Sequence, residues 1–199
     1  MSRKQSSLLP RSALALVMSL AMTLAAPAHA KPENFQIDKG HTFVTFKVSH
    51  IGFAWIPGAF TDFSGDLVYD AEKPANSKVT FTVRIPSLTT SHAERDKHLK
   101  SDDFFNAEEH DTARFVSTAY EPSGGNSAIL RGNLTIKDIT KPIEFKVTEL
   151  AAKQDPWGNF RRGFEAEAEL NLADYKLDYA GAVPETATVI VSLEATRAK

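Results

Sequence analysis

Cysteine is absent from all 199 residues, which excludes disulfides, thiolate nucleophiles and thiolate-bound metal. The chain also lacks an H-E-x-x-H pair, a G-x-S-x-G elbow, a P-loop and a G-x-G-x-x-G turn. Zinc-protease, serine-hydrolase, phosphoryl and dinucleotide chemistry therefore have no sequence support. Positive charge is not in excess: the formal net charge is -2, and no basic cluster offers a patch to nucleic acid or anionic headgroups. Helical periodicity is nearly missing as well. Only the segment around residues 91–100 reads as a helix, a short polar one that Ser91 can cap and Glu94 opens.

What the chain does contain is alternation. From Lys78 to Ile85, Val79, Phe81, Val83 and Ile85 interleave with Thr80, Thr82 and Arg84. A period of two places one face on an apolar interior and the other in water. The rhythm returns at Val44, Phe46 and Val48, at Ala128, Leu130, Gly132, Leu134 and Ile136, and at Ile143, Phe145 and Val147. It returns again at Phe164, Ala166, Ala168 and Leu170, and at Val189, Val191, Leu193 and Ala195. With one short helix available, these one-sided strands must cover one another. The expected fold is all-β, an antiparallel barrel of about eight strands with one helical insertion.

The first thirty residues stand outside that pattern. Arg3, Lys4 and Arg11 give a basic start, Ala13 to Ala26 an apolar run, and Ala28-His29-Ala30 the small residues of a cleavage point after Ala30. The run is shorter than the ~20 residues that span a bilayer, so it reads as a secretory signal rather than an anchor. Its removal takes three positive charges and moves the formal net charge from -2 to -5. Residues 31–199 then form one exported domain, and a disulfide-free core of this size suits the periplasm.

Several breaks punctuate the strands. Gly52 and Pro57-Gly58 are expected to end the first long strand, with the next running from Ala59 to Tyr69. Gly124-Gly125-Asn126 marks a hairpin, and Asp155-Pro156-Trp157-Gly158-Asn159 marks another turn. Phe53, Trp55 and Ile56 then fall in a loop that could serve as the mouth of the barrel, as a plug, as one side of a subunit contact, or as a docking surface for a membrane partner.

Eight strands are about the number at which a barrel is either just filled or left with room for one small ligand. Small inward positions (Ala128, Gly132, Ala166, Ala168) beside large ones leave two outcomes open: space at one wall, or large residues interdigitating opposite the small ones to ordinary packing density. The expected lining is Phe46, Val48, His50, Phe60, Phe81, Val83, Ile85, Phe115, Leu134, Phe145 and Phe164, with Phe53 and Trp55 at the mouth. Such a lining selects a hydrocarbon guest over a sugar or nucleotide. Histidine spacing argues against a metal: His41 and His50 lie nine apart, and His92 and His98 six apart, which misses one helix face. His50 reads either as a core histidine satisfied by a backbone carbonyl near the barrel rim or as a polar contact for a guest's head group. The rival reading is an enzyme on such a lipid, or a metal-dependent hydrolase using His50, His41 or His98.

The order of motifs resembles the YceI-like family. The likeness is carried by His41-x-x-Val44-x-Phe46, Ser49-His50-Ile51-Gly52, Gly58-x-Phe60 and the run from Thr90 through His92-Ala93-Glu94-Arg95-Asp96-Lys97-His98-Leu99-Lys100-Ser101 to Phe104. Gly132-x-Leu134-Thr135, Thr140-Lys141-Pro142, Asp155-Pro156-Trp157-Gly158 and Gly163-Phe164 extend it over the whole domain. The resemblance implies a lipocalin-like barrel around a long isoprenoid lipid, polyprenyl or quinone-type. It also implies a periplasmic location, no catalytic activity, no cofactor beyond the bound lipid, no stable membrane insertion, and a homodimer as a frequent assembly. Arg95, Asp96 and Leu99 would fix the helical excursion, and Gly132 and Pro142 would shape a hairpin. His110-Asp111-Thr112-Ala113 departs from the tyrosine-proline pair common there and puts that loop's geometry in question.

Overall fold

The computed structural model describes residues 31–177 and 184–198. The leader, residues 1–30 with Ala30 at its end, lies outside the described residues. The described chain forms eleven strands: β1 (Glu33–Ile37), β2 (Phe43–His50), β3 (Ala54–Phe60), β4 (Phe63–Tyr69), β5 (Lys78–Arg84), β6 (Leu88–Thr89), β7 (Thr112–Gly124), β8 (Ser127–Ile136), β9 (Ile139–Gln154), β10 (Phe160–Asn171) and β11 (Thr186–Arg197). One helix, α1 (Ala93–Lys100), interrupts them.

Eight of these strands close a ring through antiparallel pairs, in the order β1-β4-β5-β7-β8-β9-β10-β11 and back to β1. The remaining three branch from β11. Its C-terminal end, Ala195 to Arg197, pairs with β1, whereas Ala187 to Ser192 pair with β2, which leads on to β3 and β6. At one end the wall is therefore completed by β1. At the other it is widened by β2, β3 and β6, so the barrel flares.

Register carries the alternation around the ring. Phe81 lies opposite Phe115, Phe115 opposite Leu134, and Leu130 opposite Phe145. Ala166 lies between Val147 and Val191, and Val189 opposite Phe46. Each cross-strand pair presents apolar side chains to the same face, which fixes the register because a one-residue slip would turn them all outward.

Three local expectations are corrected. Pro57-Gly58 does not break the chain: both residues lie within β3, opposite Lys47 and Phe46. β3 meets β6 only at Ala59 and Phe60, so at Pro57 its second edge is unpaired and the missing N–H costs no ladder bond. Gly58 is required by a close approach, since a Cβ there would lie 2.2 Å from the Phe46 ring. The single strand expected from Ala59 to Tyr69 is divided at Thr61-Asp62 into β3 and β4. Finally, the cap of α1 is His92, whose Nδ1 accepts from the Arg95 amide, in place of Ser91, which sits at φ 61.

Helix α1 buries none of its residues and is held by polar contacts to β6. The Asp96 carboxylate accepts from the Thr90 amide (2.7 Å) and from the Thr89 hydroxyl (3.1 Å). Arg95 Nε donates to Thr90 Oγ1 at 2.7 Å and its Nη2 to the Thr90 carbonyl at 3.0 Å. At the departure noted above, the Asp111 carbonyl accepts from the Ile85 amide (2.8 Å) and its carboxylate pairs with Arg84, so the loop is tied to the end of β5.

Candidate functional site

The apolar faces enclose a cavity of about 810 Å³, within the roughly 300–1,000 Å³ range of small-molecule sites. Ten of the residues expected at its wall line it: Phe46, Val48, His50, Phe60, Phe81, Val83, Phe115, Leu134, Phe145 and Phe164. Leu67, Val79, Leu130, Ala166, Val189, Val191 and Leu193 complete the middle of the wall.

Three expected residues are placed elsewhere. Ile85 is 1% exposed and packs in a separate cluster with Phe104, Ala113, Ile136 and Tyr175. Its parity points inward, but β5 ends at Arg84 and Ile85 opens a 3-10 turn with Pro86. Phe53 and Trp55 are 85% and 62% exposed. Because residues 54–60 are a strand, parity separates neighbours: Ile56 lines the cavity opposite Val48, and Trp55 faces outward opposite Ser49.

Size along the wall is decided pair by pair. At Gly132 no space remains, since a Cβ would lie 2.4 Å from the Phe115 ring and 2.5 Å from the Val116 carbonyl oxygen. At Ala166 the small side chain leaves the cavity open.

Among the described residues, polar residues line the cavity toward its two ends, with Ser77 and Lys78 at the end that carries Tyr69. The rim at the flared end carries Ser49, His50, Thr90, Arg95 and His98, beside Ile51 and Leu99. Leu99 and the pair Phe104-Phe105, which follows α1, add apolar surface there, with Phe105 edge-on to Phe60 at 6.3 Å. His98 Nε2 meets the Asp103 carboxylate at 2.8 Å.

The opposite end is a floor that the alternation alone did not announce. The Tyr69 and Tyr120 hydroxyls, both at the lining, donate to the same Glu149 Oε1 at 2.8 and 2.7 Å. Arg162, 9% exposed, lies 3.8 Å above the Tyr69 ring and within 5.9 Å of the Phe35 and Phe160 ring centroids. Its Nη1 stands 3.7 Å from Glu149 Oε2, an ion-pair distance, and its Nε is buried without a hydrogen-bond partner. Burial and then the hydrogen bond to the Glu149 carboxylate push the Tyr69 phenol up to about 12. The same causes in the same order raise Tyr120 further.

His41 and His50 do not converge. His41 lies beyond the N-terminal end of β2 and His50 at its C-terminal end, roughly 30 Å away at about 3.3 Å per strand residue. Asp38, His41 and Glu194 form the one cluster of metal-ligand type among the described residues, their ligand atoms within 4.8 Å of one another. Arg161 already neutralises it, donating to Asp38 Oδ2 at 2.6 Å and Glu194 Oε1 at 2.5 Å, and Nε to Asp155 Oδ2 at 2.7 Å. That guanidinium, and next the His41 contact, hold the Asp38 carboxyl down at about 2. The cluster lies outside the cavity lining and serves to join β1, β10 and β11.

Comparison with known proteins agrees with this architecture. The family model described as YceI-like domain matches residues 35–195. A UPF0312 protein of Pseudomonas putida is 39% identical over 184 residues, 92% of this chain and 96% of the relative. The fold of Burkholderia cenocepacia BcnA superposes with a TM-score of 0.73 at 22% identity, covering 80% of this chain and 99% of that one. A polyisoprenoid-binding domain from Saccharophagus degradans superposes at 0.60 with 14% identity, covering 82% and 98%. With its matched span covering nearly the whole barrel and its relatives matched along almost their full length, the chain belongs to the YceI-like domain family.

Proposed function

We propose that this protein is a periplasmic carrier of a long-chain isoprenoid lipid, polyprenyl or quinone-type, and acts by binding rather than catalysis. One observation carries the reading: a cavity of about 810 Å³ whose long middle is apolar and whose polar lining residues lie toward the rim and the floor. The basic, apolar and small-residue succession of the leader supports export. The likeness to a polyisoprenoid-binding domain supports the class of guest. The tail lies along the barrel, and the head group stays at the rim with His50, Thr90 and Arg95.

Burial decides the energetics. Ten to fifteen methylene equivalents at ~0.8 kcal/mol each supply roughly 8 to 12 kcal/mol before ordering costs. One neutral hydrogen bond at the rim contributes only ~1 kcal/mol. In a titration with prenyl quinones and prenyl alcohols of increasing length, affinity rises more than tenfold per added isoprene unit until the cavity is full. Exchanging the quinone for the alcohol at fixed length changes Kd by less than about tenfold. Affinity that follows the head and ignores the tail contradicts the proposal.

A further inference from the structure

Three large apolar side chains are exposed together where β2 turns into β3: Ile51 at 79%, Phe53 at 85% and Trp55 at 62%. Single exposed apolar residues are ordinary on a soluble surface, but a group at one protruding tip marks a contact. The turn itself carries a second signal. Ile51 has φ 55 and Gly52 φ 78, and the Phe53 amide donates to the His50 carbonyl at 2.9 Å, so both central residues of this turn are left-handed. Asn-Gly is the favoured pair there, and a β-branched residue in that conformation is strained. Folding alone favours asparagine, so the isoleucine serves something outside the fold.

Position says what that is. Ile51 is both exposed and part of the cavity lining, adjoining Ser49 and His50 at the rim, so the tip is continuous with the mouth. On the outer face, the Lys47 ammonium lies 5.1 Å over the Trp55 ring, giving the amphipathic pairing suited to a head-group layer. A second copy of the chain fits poorly. A stable interface needs about 800 Å² per partner, whereas two aromatic side chains bring at most about 150–250 Å² each. Trp157 is also exposed, but it stands on the β9–β10 turn, at the end where the floor closes the barrel.

We propose that the β2–β3 tip docks the barrel reversibly onto a lipid bilayer, with Ile51 and Phe53 at the acyl boundary, Trp55 at head-group level and the mouth facing hydrocarbon. The purpose of this docking rests on the carrier reading, since a water-insoluble guest must pass directly between bilayer and cavity. The docking itself is tested without a guest.

Phosphatidylcholine vesicles free of prenyl lipid are the probe, because apolar insertion needs no anionic head group and is little weakened by salt. In Trp157→Phe, which retains Trp55, vesicles shift the emission to the blue and at least halve acrylamide quenching. In Trp55→Phe, which retains Trp157, neither changes. Phe53→Ser/Trp55→Ser loses at least tenfold in vesicle co-sedimentation, yet takes up a prenyl quinone from detergent micelles like the parent, which also shows that it is folded. Ile51→Asn melts at a higher temperature than the parent and binds vesicles more weakly. Docking is overturned if the parent fails to bind vesicles, if Trp157 shifts in place of Trp55, or if the double variant binds as the parent does. It is equally overturned if the double variant instead dissolves a dimer. Vesicle binding by the parent without quinone uptake from micelles would support docking and sink the carrier reading alone.

Discussion

Ala166→Trp is expected to yield a folded barrel that binds lipid at least about a hundredfold more weakly. Ala166 lines the cavity from β10, between Val147 and Val191, which line it too. An indole there projects into empty apolar space, so the usual overpacking penalty of about 1–3 kcal/mol does not arise. Filling a cavity with apolar surface also tends to stabilise the unliganded fold. The guest loses room for about four to six methylene equivalents, or roughly 3 to 5 kcal/mol at ~0.8 each. Affinity for a prenyl quinone falls at least about a hundredfold, while the melting temperature of the empty protein is equal or higher. Isothermal titration and thermal denaturation check the two halves. A variant that loads fully would place the guest elsewhere than along this wall.

The second large effect concerns the floor. Glu149→Ala removes the acceptor of both the Tyr69 and Tyr120 hydroxyls and the carboxylate nearest to buried Arg162. Arg162 is buried, but Glu149 is only partly so and stands 3.7 Å away. The loss therefore falls below the ~3–5 kcal/mol of a fully buried pair and nearer to the about 1–3 kcal/mol of buried donors left unsatisfied. Denaturant unfolding should show that loss with little change in slope. Glu149→Gln should lose less, since it retains an oxygen that can accept from a tyrosine. The tyrosines supply a pH signature. The folded-state value for Tyr69 is about 12 against an ordinary 10.0, so its contribution is fully present below pH 10 and disappears as pH rises through about 12. In Glu149→Ala the phenols should ionise earlier, read by phenolate absorbance. Unchanged stability and unchanged titration would show that the floor network does not hold the closed end together.

Much of this was legible in the residues, and the exceptions have identifiable causes. Alternation located β5, β8, β10 and β11 because each pairs on both edges and faces the cavity on one side. It misled at β3, where a Pro-Gly pair that normally signals a turn sits on an unpaired edge beneath the Phe46 ring. It misled again at Ile85, where Pro86 ends the strand before the inward position is used. Tyr69, Glu149 and Arg162 share the inward parity of Leu67, Val147 and Phe164, so the floor could have been found by asking which polar residues fall on the apolar face. Tyr120 could not have been found that way, because a register shift between Ser117 and Ala119 reverses the parity of β7 before it. The rim was the least legible part. Arg95 and His98 lie on a helix with no apolar stripe, and only the three-dimensional path of α1 brings them to the mouth.

Native mass spectrometry of the full-length gene product, expressed in a bacterium and purified from the periplasm without detergent, is the most direct test of an isoprenoid carrier. The expected species is a chain beginning at Lys31 that carries one prenyl lipid, recovered by extraction from the parent and strongly depleted in Ala166→Trp. A single mass for the bare polypeptide, together with no uptake of an added prenyl quinone, would contradict the carrier reading.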